Sequence, residues 1–286
     1  MPKYSVVINT INRSNDIVLR SLRAVLDQAL DFELILVDQN PKCLVLPPDI
    51  VSDARFIHHR VSHRSVSAAR NSAPVSKEAI WIIFCDDDGF WAENYFKAFL
   101  EITNSNPKID VIAGSIRRID NGEFYSKRHA MGGDLGKFIN LKLLMGSNFA
   151  VKRKLFISLK GFDERFGAGA IYGSSEETDF AWNGYFASAG MYFAPNLVVM
   201  HTPPFSGDTK TEVRKAFRYG LGKGRMVNKW LKQGKWIVLF ELFEMMTVPF
   251  AKIISSLFLL RIKETAIHFY SLSGRLFGLF FDQTKD

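Results

Sequence analysis

The sequence predicts an α/β fold, a mixed, mostly parallel central sheet flanked by helices, with a C-terminal helical appendage. Three observations predict it. Short β-rich runs alternate with helical patterns through the first hundred residues. One run, Ile80-Trp81-Ile82-Ile83-Phe84-Cys85, passes directly into Asp86-Asp87-Asp88. From residue 206 onward the alternation gives way to a basic helical pattern and then an apolar tail, so the expected division is 1–205 and 206–286.

The elements follow in order. Tyr4 to Ile8 is a β-rich run ending in the polar loop Asn9-Thr10-Ile11-Asn12-Arg13. Ser14 or Asn15 can cap a helix from Asp16, with Val18, Leu22, Val25, Leu26 and Ala29 on one face. Leu34 to Val37 is a second strand, stopped by Asp38-Gln39-Asn40-Pro41, and Phe56 to His58 a third. A helix through Ser67 to Asn71 precedes the strand Ile80 to Cys85. That strand is short, apolar and rich in β-branched and aromatic residues, as expected of one buried on both faces. Further on, Ile109 to Ala113 reads as a strand and Arg117 to Tyr125, around Asn121-Gly122, as a hairpin. Tyr192 to Met200 is extended and delivers His201.

Composition narrows the class. Of 286 residues, 47% are hydrophobic and 23% charged, which excludes wholesale disorder. Cys43 and Cys85 are the only cysteines. Two cannot build a disulfide framework or a cysteine zinc cluster, and they fit a reducing, cytoplasmic setting. The first residues carry no apolar core or cleavage site, so no secretory signal is expected. The net charge of +8 is uneven: nine basic residues lie between Asp208 and Lys235 against two acids. Such a block suits an anionic partner.

Open α/β sheets bind ligands at the carboxyl ends of their strands, where Asp86-Asp87-Asp88 lies. Adjacent carboxylates repel one another unless a cation sits among them, and oxygen ligands suit magnesium or manganese. A solvated acidic turn is the bland alternative. A dehydrogenase is excluded, because no G-x-G-x-x-G follows the first strand; Gly220-Leu221-Gly222-Lys223-Gly224 follows no strand and reads as a chance match. Walker-type loops are also absent.

Val-Val-Ile-Asn-Thr-Ile-Asn-Arg, Ile-Leu-Val-Asp, Ala-Ala-Arg-Asn and Phe-Cys-Asp-Asp-Asp, in this order and spacing, resemble the nucleotide-sugar-binding half of inverting family-2 glycosyltransferases of the A-type (GT-A) fold. The resemblance implies donor contacts at Asn9, Asp38, Gln39, Arg70, Asp86 and Asp87, and a divalent metal, Mn or Mg, at Asp88, Asp86 and His201. Gln39 departs from the second acid common at its position, which alters the donor and acceptor pattern offered to a base. Gly146-Ser147-Asn148 resembles the family's segment near donor sugar and acceptor, placing Ser147 and Asn148 on the acceptor side; an ordinary turn is the competing reading. Glu176-Glu177-Thr178-Asp179 resembles the family's base motif, with Glu177 as general base and Glu176 its competitor. Without the resemblance, these acids would simply favour a helix dipole.

Glu212 to Leu231 is a basic helical pattern, and an apolar tail runs from Trp236 to Phe281. Glu244, Pro249 and Lys252 interrupt its most apolar stretch, so the expectation is interfacial helices with Trp230, Trp236 and lysines at headgroup level. A helical pair packed on the catalytic domain or on a second subunit is the alternative. The function expected is transfer of a sugar from a nucleoside-diphosphate sugar to a saccharide or lipid-linked acceptor, in cell-surface polysaccharide or glycolipid assembly. It would occur at the inner face of an anionic membrane, without nucleic acid, and an oligomer is left open. A sugar nucleotidyltransferase is disfavoured because Asn9 to Arg13 is no glycine-rich basic loop. A non-catalytic membrane-peripheral protein is disfavoured by retention of every acidic motif.

Overall fold

A computed structural model describes residues 3–29, 31–203 and 207–281. The expected boundary between residues 205 and 206 lies outside them. The chain divides into two compact units: residues up to Phe162 together with Glu177–Pro203, and Asp163–Glu176 together with the C-terminal helices.

The first unit alternates as its hydrophobic pattern requires. Its elements begin with β1 (Tyr4–Thr10), α1 (Asn15–Leu26), β2 (Glu33–Asp38), α2 (Pro48–Val51), β3 (Phe56–Arg60), α3 (Val66–Ser72) and β4 (Trp81–Asp86). They continue with β5 (Gly89–Trp91), α4 (Tyr95–Ser105), β6 (Val111–Arg118), α5 (Lys127–Met131), β7 (Phe149–Lys152), α6 (Arg153–Ser158), α7 (Glu176–Phe186) and β8 (Met191–His201). All eight strands form one sheet in the order β3-β2-β1-β4-β7-β6-β8-β5. Strands β1, β2, β3 and β4 pair in parallel, as do β6 and β8, while β7 and β5 run antiparallel to their neighbours. This is the mixed, mostly parallel sheet that the sequence predicts.

Strands β1 and β2 are buried on both faces, as continuous apolar runs should be. Helix α1 covers one face with Val18, Leu22 and Val25. Aromatic rings pack both sides: Tyr4, Trp81, Phe96 and Phe99 form one edge-to-face cluster, and Phe84, Phe149, Phe156 and Phe162 a second that mixes stacked, tilted and edge-to-face pairs. Between Gly114 and Ser115 the β6–β8 register shifts, so β8 bulges around Pro195, which lacks a ladder donor. Asn148 stitches this bulge. Its amide donates to Ser115 O and Leu197 O at 2.8 and 2.9 Å, and its carbonyl accepts from Tyr95 Oη at 2.8 Å.

In the second unit, α8 (Thr209–Lys232) begins at Asp208, whose carboxylate accepts the Thr211 N–H, and is followed by α9 (Leu239–Phe258) and α10 (Ile262–Phe280). Helices α8 and α10 meet backbone to backbone. A Cβ on Gly220 or Gly224 would collide with the carbonyl of Ser271 or Arg275, and one on Gly274 or Gly278 with that of Phe217 or Leu221. Two G-x-x-x-G stripes thus face each other, and the glycines that read as a chance nucleotide-loop match are a helix-packing surface. Pro249 lies inside α9 and cannot donate to the Met245 carbonyl one turn back. Arg275 Nη1 supplies that hydrogen bond instead, at 2.7 Å. Trp230 is buried in α8, away from the headgroup level expected of it, whereas Trp236 is exposed.

Candidate active site

The site lies at the carboxyl ends of the parallel strands. Pairing sets Asn9 beside Asp86 and Thr10 beside Asp38. A serine N-cap, Ser65, starts α3 and brings Arg70 beneath these strand ends. Strand β8 pairs His201 with Gly89, which carries the imidazole next to Asp88.

Arg70 is the junction of the site. Its side chain is buried, and Nε donates to Asn9 Oδ1 at 3.2 Å. Its Nη2 donates to Asp86 Oδ1 at 2.9 Å and to the Gly146 carbonyl at 3.3 Å, while Nη1 stands 3.6 Å from Glu177 Oε1. A Cβ on Gly146 would occupy the space of the Glu177 carboxylate and the Arg70 guanidinium, so any larger residue before Ser147 would displace one of them.

Every oxygen of the three successive carboxylates has a partner. Asp86 holds Arg70 and, through Oδ2, Ser147 Oγ at 2.6 Å. Asp87 accepts from Thr10 Oγ1 at 2.7 Å and Arg13 Nε at 2.9 Å. Asp88 accepts from Thr202 Oγ1 at 2.7 Å, lies 3.2 Å from Arg13 Nη2, and meets His201 Nε2 at 3.1 Å. Burial pushes the Asp87 carboxyl up, against Thr10 and Arg13, to about 6. For Asp86 and Asp88 burial also acts upward, but the hydrogen bond and charge of His201 outweigh it, with Arg70 assisting at Asp86, and both stay below the usual range. Burial disfavours the His201 cation, yet the two carboxylates push its pKa far above that of a free imidazole.

Asp86, Asp88 and His201 bring three ligand atoms within 4.8 Å of one another. The His201 Nδ1 lies 2.8 Å from the Thr202 carbonyl. That bond fixes Nδ1 as the donor and turns Nε2 toward the carboxylates, the arrangement a metal-ligating histidine needs. Two carboxylates and an imidazole fit a divalent cation of the Mn or Mg kind. Asp87 lies outside this group, held by Thr10 and Arg13.

The other expected residues are placed as follows. Asp38 accepts from the backbone of Asn40 and Leu44, the Asn40 amide and His58 Nε2, and thereby shapes the loop after β2. Gln39 spends its amide protons on the His63 and Ser65 carbonyls and its Oε1 lies 3.5 Å from Asn9 Nδ2. The loop after β2 and Asn12, Arg13 and Asn15 line a cleft of ≈ 520 Å³. Ser147 joins Asp86, whereas Asn148 belongs to the sheet. Glu177 is part-exposed beside Arg70, and Glu176 is buried at the start of α7. Sequence reasoning assigned no role to Thr10, Arg13, Thr202 or Tyr125, whose ring edge meets His201 at 4.9 Å between centroids. Thr10 and Arg13 sit inside the quoted Asn-Thr-Ile-Asn-Arg motif, which was the available signal.

The family described as Glycosyl transferase family 2 matches residues 5–167. Among solved structures, the chain is similar to the mannosyltransferase PcManGT from Pyrobaculum calidifontis in complex with GDP-Man and Mn2+. There the TM-score is 0.64 at 15% identity, covering 100% of this chain and 88% of that one. It is also similar to residues 1–349 of S. aureus TarS, with TM-score 0.58 at 12% identity over 96% of this chain and 90% of that one. A longer TarS structure matches with TM-score 0.56 at 16% identity, over 80% of this chain and 43% of that one. No curated protein matches the chain.

Proposed function

Because the chain belongs to glycosyl transferase family 2 and has the GT-A fold, we propose that it transfers a sugar from a nucleoside-diphosphate sugar to an acceptor hydroxyl with inversion at the anomeric carbon. The observation that carries this reading is the Arg70 junction. One buried guanidinium ties the acids after β4 to the part-exposed Glu177 carboxylate, so donor-side and acceptor-side groups form one electrostatic unit.

In this reading Glu177 takes the proton of the acceptor hydroxyl. The hydroxyl oxygen then bonds to the anomeric carbon as the bond from that carbon to the diphosphate oxygen breaks on the opposite face, the electron pair leaving with the diphosphate. Glu176, buried and one residue earlier, is the competing base. Asn9, Asp38, Gln39, Arg70, Asp86 and Asp87 form the donor side, with Ser147 aligning Asp86. Asp86, Asp88 and His201 would hold a divalent cation, Mn or Mg, which would supply Lewis-acid stabilisation of charge on the diphosphate. The structural likeness to a protein crystallised with GDP-Man and Mn2+ supports both donor class and metal. A saccharide or lipid-linked acceptor, in polysaccharide or glycolipid assembly at the inner face of the plasma membrane, agrees with the basic, apolar helical unit.

The test is release of nucleoside diphosphate from a panel of nucleotide sugars, with and without Mn2+ or Mg2+. We expect turnover that requires metal, is lost in Glu177→Gln and survives in Glu176→Gln. Absence of metal-dependent release with every donor, or full activity in Glu177→Gln, overturns the reading.

A further inference from the structure

Helix α9 buries only Glu241, Met245, Pro249 and Ser256. Its other side presents Phe240, Phe243, Phe250, Ile254 and Leu257, at helical spacings of three, four or seven residues. Exposure is 76% for Phe240, 71% for Phe243 and 58% for Phe250. The apolar face continues beyond both helix ends, through Trp236 before it and Leu260 and Ile262 after it, all more than half exposed. Water-soluble monomers rarely leave so long an apolar face uncovered.

We propose that this face of α9 docks on an anionic lipid bilayer, with the helix lying in the plane of the interface. No helix among the described residues is long and apolar enough to cross a membrane. Glu241, Glu244 and Lys252 interrupt the apolar character of α9, so the helix suits burying one side at the headgroup boundary rather than spanning. Charge complementarity selects the lipid. Lys232, four residues before Trp236, and Arg261, between Leu260 and Ile262, are exposed, and the preceding segment from Asp208 to Lys235 carries nine basic residues against two acids, Lys223 and Lys229 among them pairing with Glu241 and Asp163. Trp236 stands at the entry to the helix, where an amphipathic ring suits headgroup depth.

A second copy of the chain fits the same face less well. Helix–helix seams favour aliphatic side chains at their repeating positions. Here Phe occupies 240, 243 and 250, Thr occupies 247, and the face runs past both ends of α9, to Trp236 in a 3-10 turn and to Ile262 at the start of α10. The inference uses the proposed cellular location only to choose which side of a membrane is touched.

Flotation of the purified full chain tests it, using phosphatidylcholine vesicles and vesicles with about a third phosphatidylglycerol, the anionic headgroups that juxtamembrane basic segments seek. We expect flotation mainly with the anionic vesicles, weakening as salt rises. Phe243→Glu/Phe250→Glu should float about tenfold less or worse, since charge enters the buried face. Unchanged circular dichroism and nucleotide binding show that this variant folds, and Phe243→Ser/Phe250→Ser gives a milder version of the same loss. Brominated acyl chains should quench tryptophan fluorescence, and less so in Trp236→Phe. Three results overturn the proposal: no flotation with either vesicle, equal flotation of the Phe243→Glu/Phe250→Glu variant and the wild type, or a non-floating wild-type dimer that Phe243→Glu dissociates. None of these measurements needs a sugar donor. Nucleoside diphosphate release in detergent solution therefore judges the transferase reading separately.

Discussion

At the end of β4, polar groups are buried and each of six carboxylate oxygens has a partner. Along α9, apolar rings face outward with little packed against them. In the first region the free-energy cost of burying charge is met inside the unit, by Arg70, Arg13 and His201. In the second, hydrophobic free energy is left ungained, because nothing among the described residues covers the surface. A site that must bind charge is assembled in advance, whereas a surface that must meet a partner stays unfinished.

Substitutions break or sharpen this contrast, and the largest effect belongs to the polar region. Arg70→Ala removes a buried guanidinium from half-buried Asp86, which keeps only His201 and Ser147 as partners, and leaves Asn9 and the Gly146 carbonyl without their donor. Catalytic efficiency in steady-state kinetics should fall about a thousandfold, and Arg70→Lys should not restore it, because an ammonium lacks the planar fork that reaches Asn9, Asp86 and Gly146 together.

Next comes the glycine crossing of the helical unit. Gly278→Val forces a branched side chain against the Leu221 carbonyl, and overpacking of this kind costs about 3 kcal/mol. Thermal melts and limited proteolysis should show loosening of the C-terminal helices. Smaller again is Arg275→Met, which leaves the Met245 carbonyl beneath Pro249 without a donor at a cost of about 1–3 kcal/mol. Hydrogen exchange should rise in α9 near Met245.

The smallest effect is a pH dependence. His129 Nδ1 accepts the Ile116 N–H at 3.0 Å, and Nε2 donates to the Leu143 carbonyl at 3.0 Å, so the ring is neutral in the fold. Burial, aided by Arg128, lowers its pKa against the upward pull of the Leu143 bond. The unfolded chain therefore takes up a proton before the folded one does, and stability falls as pH drops below about 6.5. Melting temperature should decline through this range in the wild type and less in His129→Asn, whose Oδ1 stands where Nδ1 accepts from Ile116.

The parallel half of the sheet and the acids that end β4 were legible because they depend on local patterns: apolar runs buried on both faces and residues bordering them. Strand β5 was not, because three residues, Gly89–Trp91, become a strand only through their partner β8. Arg13, Thr10 and Thr202 escaped for the same reason, since each gains its role from a residue more than seventy positions away. Gln39 and Asn148 show the converse. Their side-chain amides also donate to loop and bulge carbonyls, roles that no local pattern announces. Trp230 and Trp236 have similar sequence surroundings, and only the packing of α8 separates the buried ring from the exposed one.

The facing glycines of α8 and α10 also bear on what lengths of chain these helices tolerate. Each residue advances a helix by about 100°, so one residue inserted between Gly274 and Gly278 would turn the stripe away and push a side chain against the Leu221 carbonyl. Single insertions or deletions within α10 should therefore be excluded. The connection after Lys232 makes no such glycine crossing, since a Cβ on Gly234 would meet nothing within 4 Å. The two helices behave as a ruler whose graduations are glycines, and it can be read in only one register.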